Sequence, residues 1–113
     1  MSKQKTIVYQ GEPGANSDTA ARDVYPDYRP MPCATFEDAF AAVANKEADL
    51  AMIPVENSVA GRVADIHHLL PDSGLYIVGE HFLPIHFQLM ALPGADLAGI
   101  RTVRTHTHAF GQC

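Results

Sequence analysis

The sequence predicts a three-layer α/β fold, and three observations predict it. Short β-branched or apolar runs alternate with helical stripes, Gly and Pro punctuate the junctions, and no internal repeat or low-complexity linker breaks the series. With 113 residues, 47% of them hydrophobic, the chain can bury one compact core, which excludes disordered and fibrous classes.

Thr6-Ile7-Val8-Tyr9 is β-branched and aromatic and runs into Gly11-Glu12-Pro13-Gly14, so it reads as a first strand entering a turn. Ser17 then stands as a cap before Asp18 to Tyr25, an Ala-rich helix with acids in its first turn and Pro26 beyond its end. Met31 to Ala34 reads as a brief strand. Pro30 and Pro32 remove backbone donors and restrict it to an edge or leave it irregular. Thr35 caps the next helix, in which Phe36, Ala39, Phe40 and Val43 share one face, and Asn45-Lys46-Glu47 ends it. Leu50-Ala51-Met52-Ile53, bounded by Asp49 and Pro54, is an apolar run suited to a parallel strand covered on both faces. After Gly61 a helix follows, with Val63, Ile66, Leu69 and Leu70 on one stripe, closed by Pro71 and Gly74. Leu75 to Val78, Phe82 to Leu92 and Thr102 to Thr105 read as further strands, the last leading into a helix near His106. Cys113 falls inside the first turn of that helix, so an incomplete fold unit is expected.

The formal net charge is −5, and Lys and Arg are nowhere clustered, which argues against a nucleic-acid surface. The uncharged stretch from Phe82 to Ala95 contains Pro84, Pro93 and Gly94 and is shorter than the roughly 20 apolar residues of a membrane span. The N-terminus lacks the apolar core of a signal peptide, so a cytoplasmic location is expected. Cys33 and Cys113 lack the paired spacing of a zinc or redox motif and read as structural or incidental thiols.

Three polar clusters sit at strand-to-helix junctions, where a sheet presents its carboxyl ends and a helix its free N–H groups. In Gly11 to Ser17, the glycines permit close backbone approach, and Asn16 and Ser17 bring hydrogen-bonding groups to a helix start, which favours anions. Neither a phosphate-binding Gly-Lys-Ser/Thr ending nor Gly-x-Gly-x-x-Gly occurs, and a plain turn with a cap explains the segment equally well. Glu56-Asn57-Ser58 places a carboxyl, an amide and a hydroxyl just beyond the apolar strand. Together they can bind donors and acceptors of a small polar molecule, or Asn57 or Ser58 merely caps the next helix. Glu56 becomes an acid or base if burial raises its pKa. Thr105-His106-Thr107-His108, followed by Gln112, suits a carboxylate ligand through Thr105 and Gln112. The His-x-His pair lacks the further ligands of a metal site, so no metal is expected. His67 and His68 read as packed or half-exposed rings, and His81 and His86 carry no clear role.

The succession Tyr9-Gln10-Gly11-Glu12-Pro13-Gly14, Thr35-Phe36-Glu37-Asp38-Ala39-Phe40 and Ala48 through Ser58 resembles prephenate dehydratase. Ile77-Val78-Gly79-Glu80, Leu83-Pro84-Ile85 and Thr105 through Cys113 continue the resemblance; Ile53-Pro54-Val55-Glu56-Asn57-Ser58 is its most specific part, and Gly61 also matches. The resemblance implies the first lobe of a catalytic region like a type II periplasmic binding protein, with a mostly parallel or mixed sheet flanked by helices. Residues 1–113 would form that lobe, with the rest of the second lobe, its Thr-Arg-Phe motif and the phenylalanine-binding ACT domain absent. It further implies decarboxylating dehydration of prephenate to phenylpyruvate in phenylalanine biosynthesis, without metal or organic cofactor, in a full-length protein that is a homo-oligomer. Carried over by motif position, Glu56, Asn57 and Ser58 would be catalytic, and Thr105, Gln112, Asn16 and Ser17 would bind substrate. Thr105 stands where the family commonly has serine, and Ala15-Asn16 departs from the commoner Thr-Phe or Ser-Tyr. Arogenate dehydration and a non-catalytic carboxylate-binding lobe are the alternatives.

Overall fold

The computed structural model describes residues 4–58, 61–105 and 109. At its centre β1 (Thr6–Gln10) lies between β2 (Arg29–Cys33) and β3 (Leu50–Ala51), and both neighbours run parallel to it. The side chains of β1 alternate across the sheet. Val8 packs with Ala39, Ala42 and Ala48 on the face covered by α2 (Phe36–Ala44). Ile7 and Tyr9 point to the other face, where the charges of Asp18 and Arg22 on α1 (Asn16–Val24) act on the Tyr9 phenol. Helices therefore cover both faces of an α/β sheet, as expected from the alternating runs.

The prolines of β2 are tolerated because of register. Arg29 N–H donates to the Lys5 carbonyl at 2.8 Å, and Gly11 N–H donates to the Cys33 carbonyl at 3.0 Å, so residues 29 and 33 turn their backbone groups toward β1. By alternation Pro30 and Pro32 turn theirs outward, where a missing donor removes no ladder bond. The strand is thus longer than the Met31–Ala34 expected from sequence, and it does lie at the sheet edge.

The helix expected from Asp18 with Ser17 as cap begins instead at Asn16, after Ala15, which offers no side-chain acceptor. Asp18 reaches back from inside the first turn and supplies that acceptor to the preceding loop, so Ser17 is left within the helix. Thr35 does cap α2, its Oγ1 accepting from Asp38 N–H at 3.0 Å. Past the C-terminal end of α2, Lys46 adopts the left-handed conformation (φ 63°), and the amides of Glu47 and Ala48 both return to the Ala42 carbonyl. Asp49 then clamps the start of β3 to β1: its N–H donates to the Thr6 carbonyl (2.9 Å) and its Oδ2 accepts from Thr6 N–H (2.8 Å).

The strand expected over Leu50–Ile53 is parallel, but its ladder spans only Leu50–Ala51 and its residues are half-buried. Among the described residues it is the outer strand of a three-stranded sheet and has no neighbour on its far side. Beyond Pro54 a hairpin, not read from the sequence, pairs β4 (Glu56–Asn57) antiparallel with β5 (Gly61–Arg62), and Val63 N–H extends it to the Val55 carbonyl at 2.9 Å. Helix α3 (Ala64–Leu69) follows against α2, with Ile66 buried and Val63, Leu69 and Leu70 half-buried on the expected stripe.

The strands expected at Leu75–Val78, Phe82–Leu92 and Thr102–Thr105 do not form; between residues 71 and 105 the only helical turn is a 3₁₀ segment at Leu97–Gly99. Tyr76, Phe82, Met90 and Leu92 are all more than 80% exposed. An apolar, β-branched run is a strand only when another strand satisfies its backbone, and none pairs with this one among the described residues. The radius of gyration, 16.8 Å, reflects this extended run, since a compact chain of this length has about 13 Å. The helix expected near His106 lies outside the described residues apart from Ala109, which is buried.

Candidate active site

Because β1 and β3 are parallel, the segments that follow them leave the sheet at the same, carboxyl edge. The first carries Gly11 to Ser17 and the second Glu56 to Ser58, so the sheet brings two of the three polar clusters to one side. Glu56 and Ser58 are exposed and Asn57 is half-buried; Glu56 and Asn57 form the first strand of the hairpin and Ser58 follows it, so none of them caps α3, whose N-terminal flank is Val63. The register sets Glu56 directly across from Arg62 on the neighbouring strand, and both are exposed. Thr105 is exposed at the end of the extended run, while Gln112, His106 and His108 lie outside the described residues.

The loop after β1 is tightly specified. Gly11 (φ 120°) and Gly14 (φ 91°) occupy backbone conformations that side-chain-bearing residues rarely adopt, and Ala15 N–H closes a turn onto the Glu12 carbonyl at 3.1 Å. Asn16 is exposed and Ser17 half-buried in the first turn of α1. Beneath them the Asp18 carboxylate, only 3% exposed, accepts from Gly14 N–H (2.8 Å) and from Arg22 Nε (2.9 Å). The Tyr9 phenol is raised above its ordinary value, first by burial and then by the Asp18 charge. Sequence reading missed the role of Asp18. An Asp and Arg four residues apart on a helix was the available signal.

Burial also pushes the Cys33 thiol up, with Asp38 and Glu47 adding to the effect, so it is held as a thiol rather than a reactive thiolate. Among the described residues no group of three His, Cys, Asp or Glu side chains is placed to hold a metal ion, and no helix is long and apolar enough to cross a membrane. A concavity of about 410 Å³ between α2 and α3, lined by Phe40, Ala44 and Leu69 with Glu37, His68 and Asp72, lies apart from the polar loops.

A family model described as prephenate dehydratase matches residues 7–113. The chain belongs to the prephenate dehydratase family. Among its relatives, a bifunctional N-acyl-homoserine lactone acylase/prephenate dehydratase of Komagataeibacter europaeus is 48% identical over 112 residues, covering 99% of this chain and 40% of that protein. Arogenate dehydratase 1 of Petunia hybrida is 45% identical over 107 residues, covering 95% of this chain and 25% of the relative. A solved structure described as GqqA, a novel type of quorum-quenching acylase, superposes with a TM-score of 0.66 at 54% identity, over 72% of this chain and 42% of that one. The chain thus spans between a quarter and about two fifths of the length of these relatives.

Proposed function

We propose that this chain contributes one lobe of a prephenate dehydratase active site, its fold that of a type II periplasmic-binding-protein lobe. The observation that carries the reading is the shared carboxyl edge, to which β1 and β3 deliver the Gly11–Ser17 loop and the Glu56–Ser58 hairpin. In the reaction the ring carboxylate leaves as carbon dioxide. The electron pair of the broken C–C bond enters the ring as the C–O bond to the ring hydroxyl breaks, and a proton joins the hydroxyl to release water. Aromatisation supplies the driving force, so the protein's task is to hold a dianion and help the hydroxyl depart, which calls for donors rather than a strong base. Asn57 and Ser58 offer such donors, and Glu56, exposed rather than buried as an acid or base would require, would line the cleft beside them. Asn16 and Ser17 would hold substrate from the other loop, joined by Thr105 and Gln112. No step requires a metal or an organic cofactor. We place the protein in the cytoplasm and expect a homo-oligomer at full length.

The test is phenylpyruvate formation from prephenate by the natural full-length chain. Glu56→Gln and Ser58→Ala should each lower kcat by roughly 10²-fold or more. A lobe that only binds carboxylates would change affinity and have no turnover to lose. Arogenate offered in parallel would give phenylalanine, distinguishing the two dehydratase readings. A second reading, hydrolysis of the N-acyl-homoserine lactone amide, is favoured by the names of the Komagataeibacter relative and the superposed structure. Release of homoserine lactone by the same preparation would support it.

A further inference from the structure

The bond between Asp18 and Gly14 does something that capping a helix does not require. A helix N-terminus is satisfied by an acceptor for amides inside its first turn. Asp18 Oδ2 instead accepts from Gly14 N–H, two residues before the helix begins, and its other oxygen, Oδ1, is engaged by Arg22 Nε. The Gly14-to-Asp18 bond closes a ring whose members between the ends are Ala15, Asn16 and Ser17. The loop's glycines would otherwise leave the backbone free to sample many conformations. With both oxygens committed at 3% exposure, the carboxylate is a fixed strut. Arg22, whose own side chain is mostly exposed, partly offsets its charge.

We propose that Asp18 is a positioning residue, shaping the Gly11–Ser17 loop so that Asn16 and Ser17 are presented to an anionic substrate in a single arrangement. The inference rests on the dehydratase reading for the identity of that substrate. The natural full-length chain, Asp18→Ala and Asp18→Asn are compared in prephenate turnover and in amide hydrogen exchange at Gly14. Loss of one such hydrogen bond should raise KM about 10-fold in Asp18→Ala while kcat stays within about 3-fold. Asp18→Asn, whose amide oxygen can still accept from Gly14, should keep KM within about 3-fold of the parent. A role confined to stability would lower Tm and the active fraction in the alanine variant and leave KM unchanged, overturning the proposal. So would equal KM increases in both variants.

Exchange at Gly14 should be slow in the parent and in Asp18→Asn; fast exchange in the parent overturns the proposal whether or not Asp18→Ala folds. If the parent turns over neither prephenate nor arogenate, the dehydratase reading fails separately. Gly14 exchange then decides whether the ring exists, and equal rates in the parent and Asp18→Ala refute it.

Discussion

Val8 is the residue whose truncation the structure prices most directly. It is fully buried on the central strand in a cluster with Ala39, Ala42 and Ala48, which have no side-chain rotamers with which to fill a gap, while the half-buried Met31, Val43 and Ile53 pack against the cluster. Val8→Ala removes two carbons' worth of burial, about 1.6 kcal/mol at about 0.8 kcal/mol per CH₂. The part of the cavity that Met31, Val43 and Ile53 leave unfilled adds up to about 1 kcal/mol at about 24 cal/mol per Å³. The expected loss is therefore up to about 2.5 kcal/mol, or a drop in Tm of up to roughly 10–20 °C for a domain of about this size. Urea unfolding of parent and variant measures it, with Val24→Ala as the control because Val24 is 38% exposed and should lose under about 1 kcal/mol. A loss below 1 kcal/mol at Val8 with an unchanged m-value, or equal losses at the two positions, would refute the packing argument.

Thr35→Ala should lose about 1 kcal/mol because it removes the acceptor for Asp38 N–H, and Thr35→Ser should restore it, as read by denaturant midpoints. Lys46→Gly should stabilise the protein by about 0.5–1 kcal/mol in the same assay, since Lys46 sits at φ 63° past the end of α2 where glycine carries no steric cost. Tyr9 gives a pH signature. Its phenol is raised in the folded protein, so the contribution is complete below the unfolded value of 10.0 and falls away as pH climbs past it toward the folded value. Stability measured between pH 9 and 11 should therefore decline less steeply in Tyr9→Phe than in the parent.

The first half of the fold was legible because its elements carry local signals. Thr35 marks a helix start, the Phe36–Val43 stripe has helical spacing, and β1 is β-branched and bounded by glycine. What failed was whatever depends on a distant partner. Leu75–Val78 and Phe82–Leu92 have strand composition but no pairing strand among the described residues, and composition cannot supply one. The β4–β5 hairpin escaped notice because each strand is two residues long, too short for an alternation to be seen. Of the site, Gly11–Ser17 and Glu56–Ser58 were legible as polar groups following strands, and the parallel pairing of β1 with β3 sends both to one edge. Asp18 was legible only as an acid in a first turn, since its bond to Gly14 depends on a loop conformation that two positive-φ glycines create.

The prolines of β2 give the sheet a direction of growth. An additional strand approaching the outer side of β2 would meet carbonyl oxygens but, at Pro30 and Pro32, no hydrogen to share, and its own carbonyls would go unanswered there. The opposite flank, beyond Leu50 and Ala51, has no such terminator. Any widening of this sheet, whether from elsewhere in the same polypeptide or from a neighbouring molecule, is therefore steered to the β3 side.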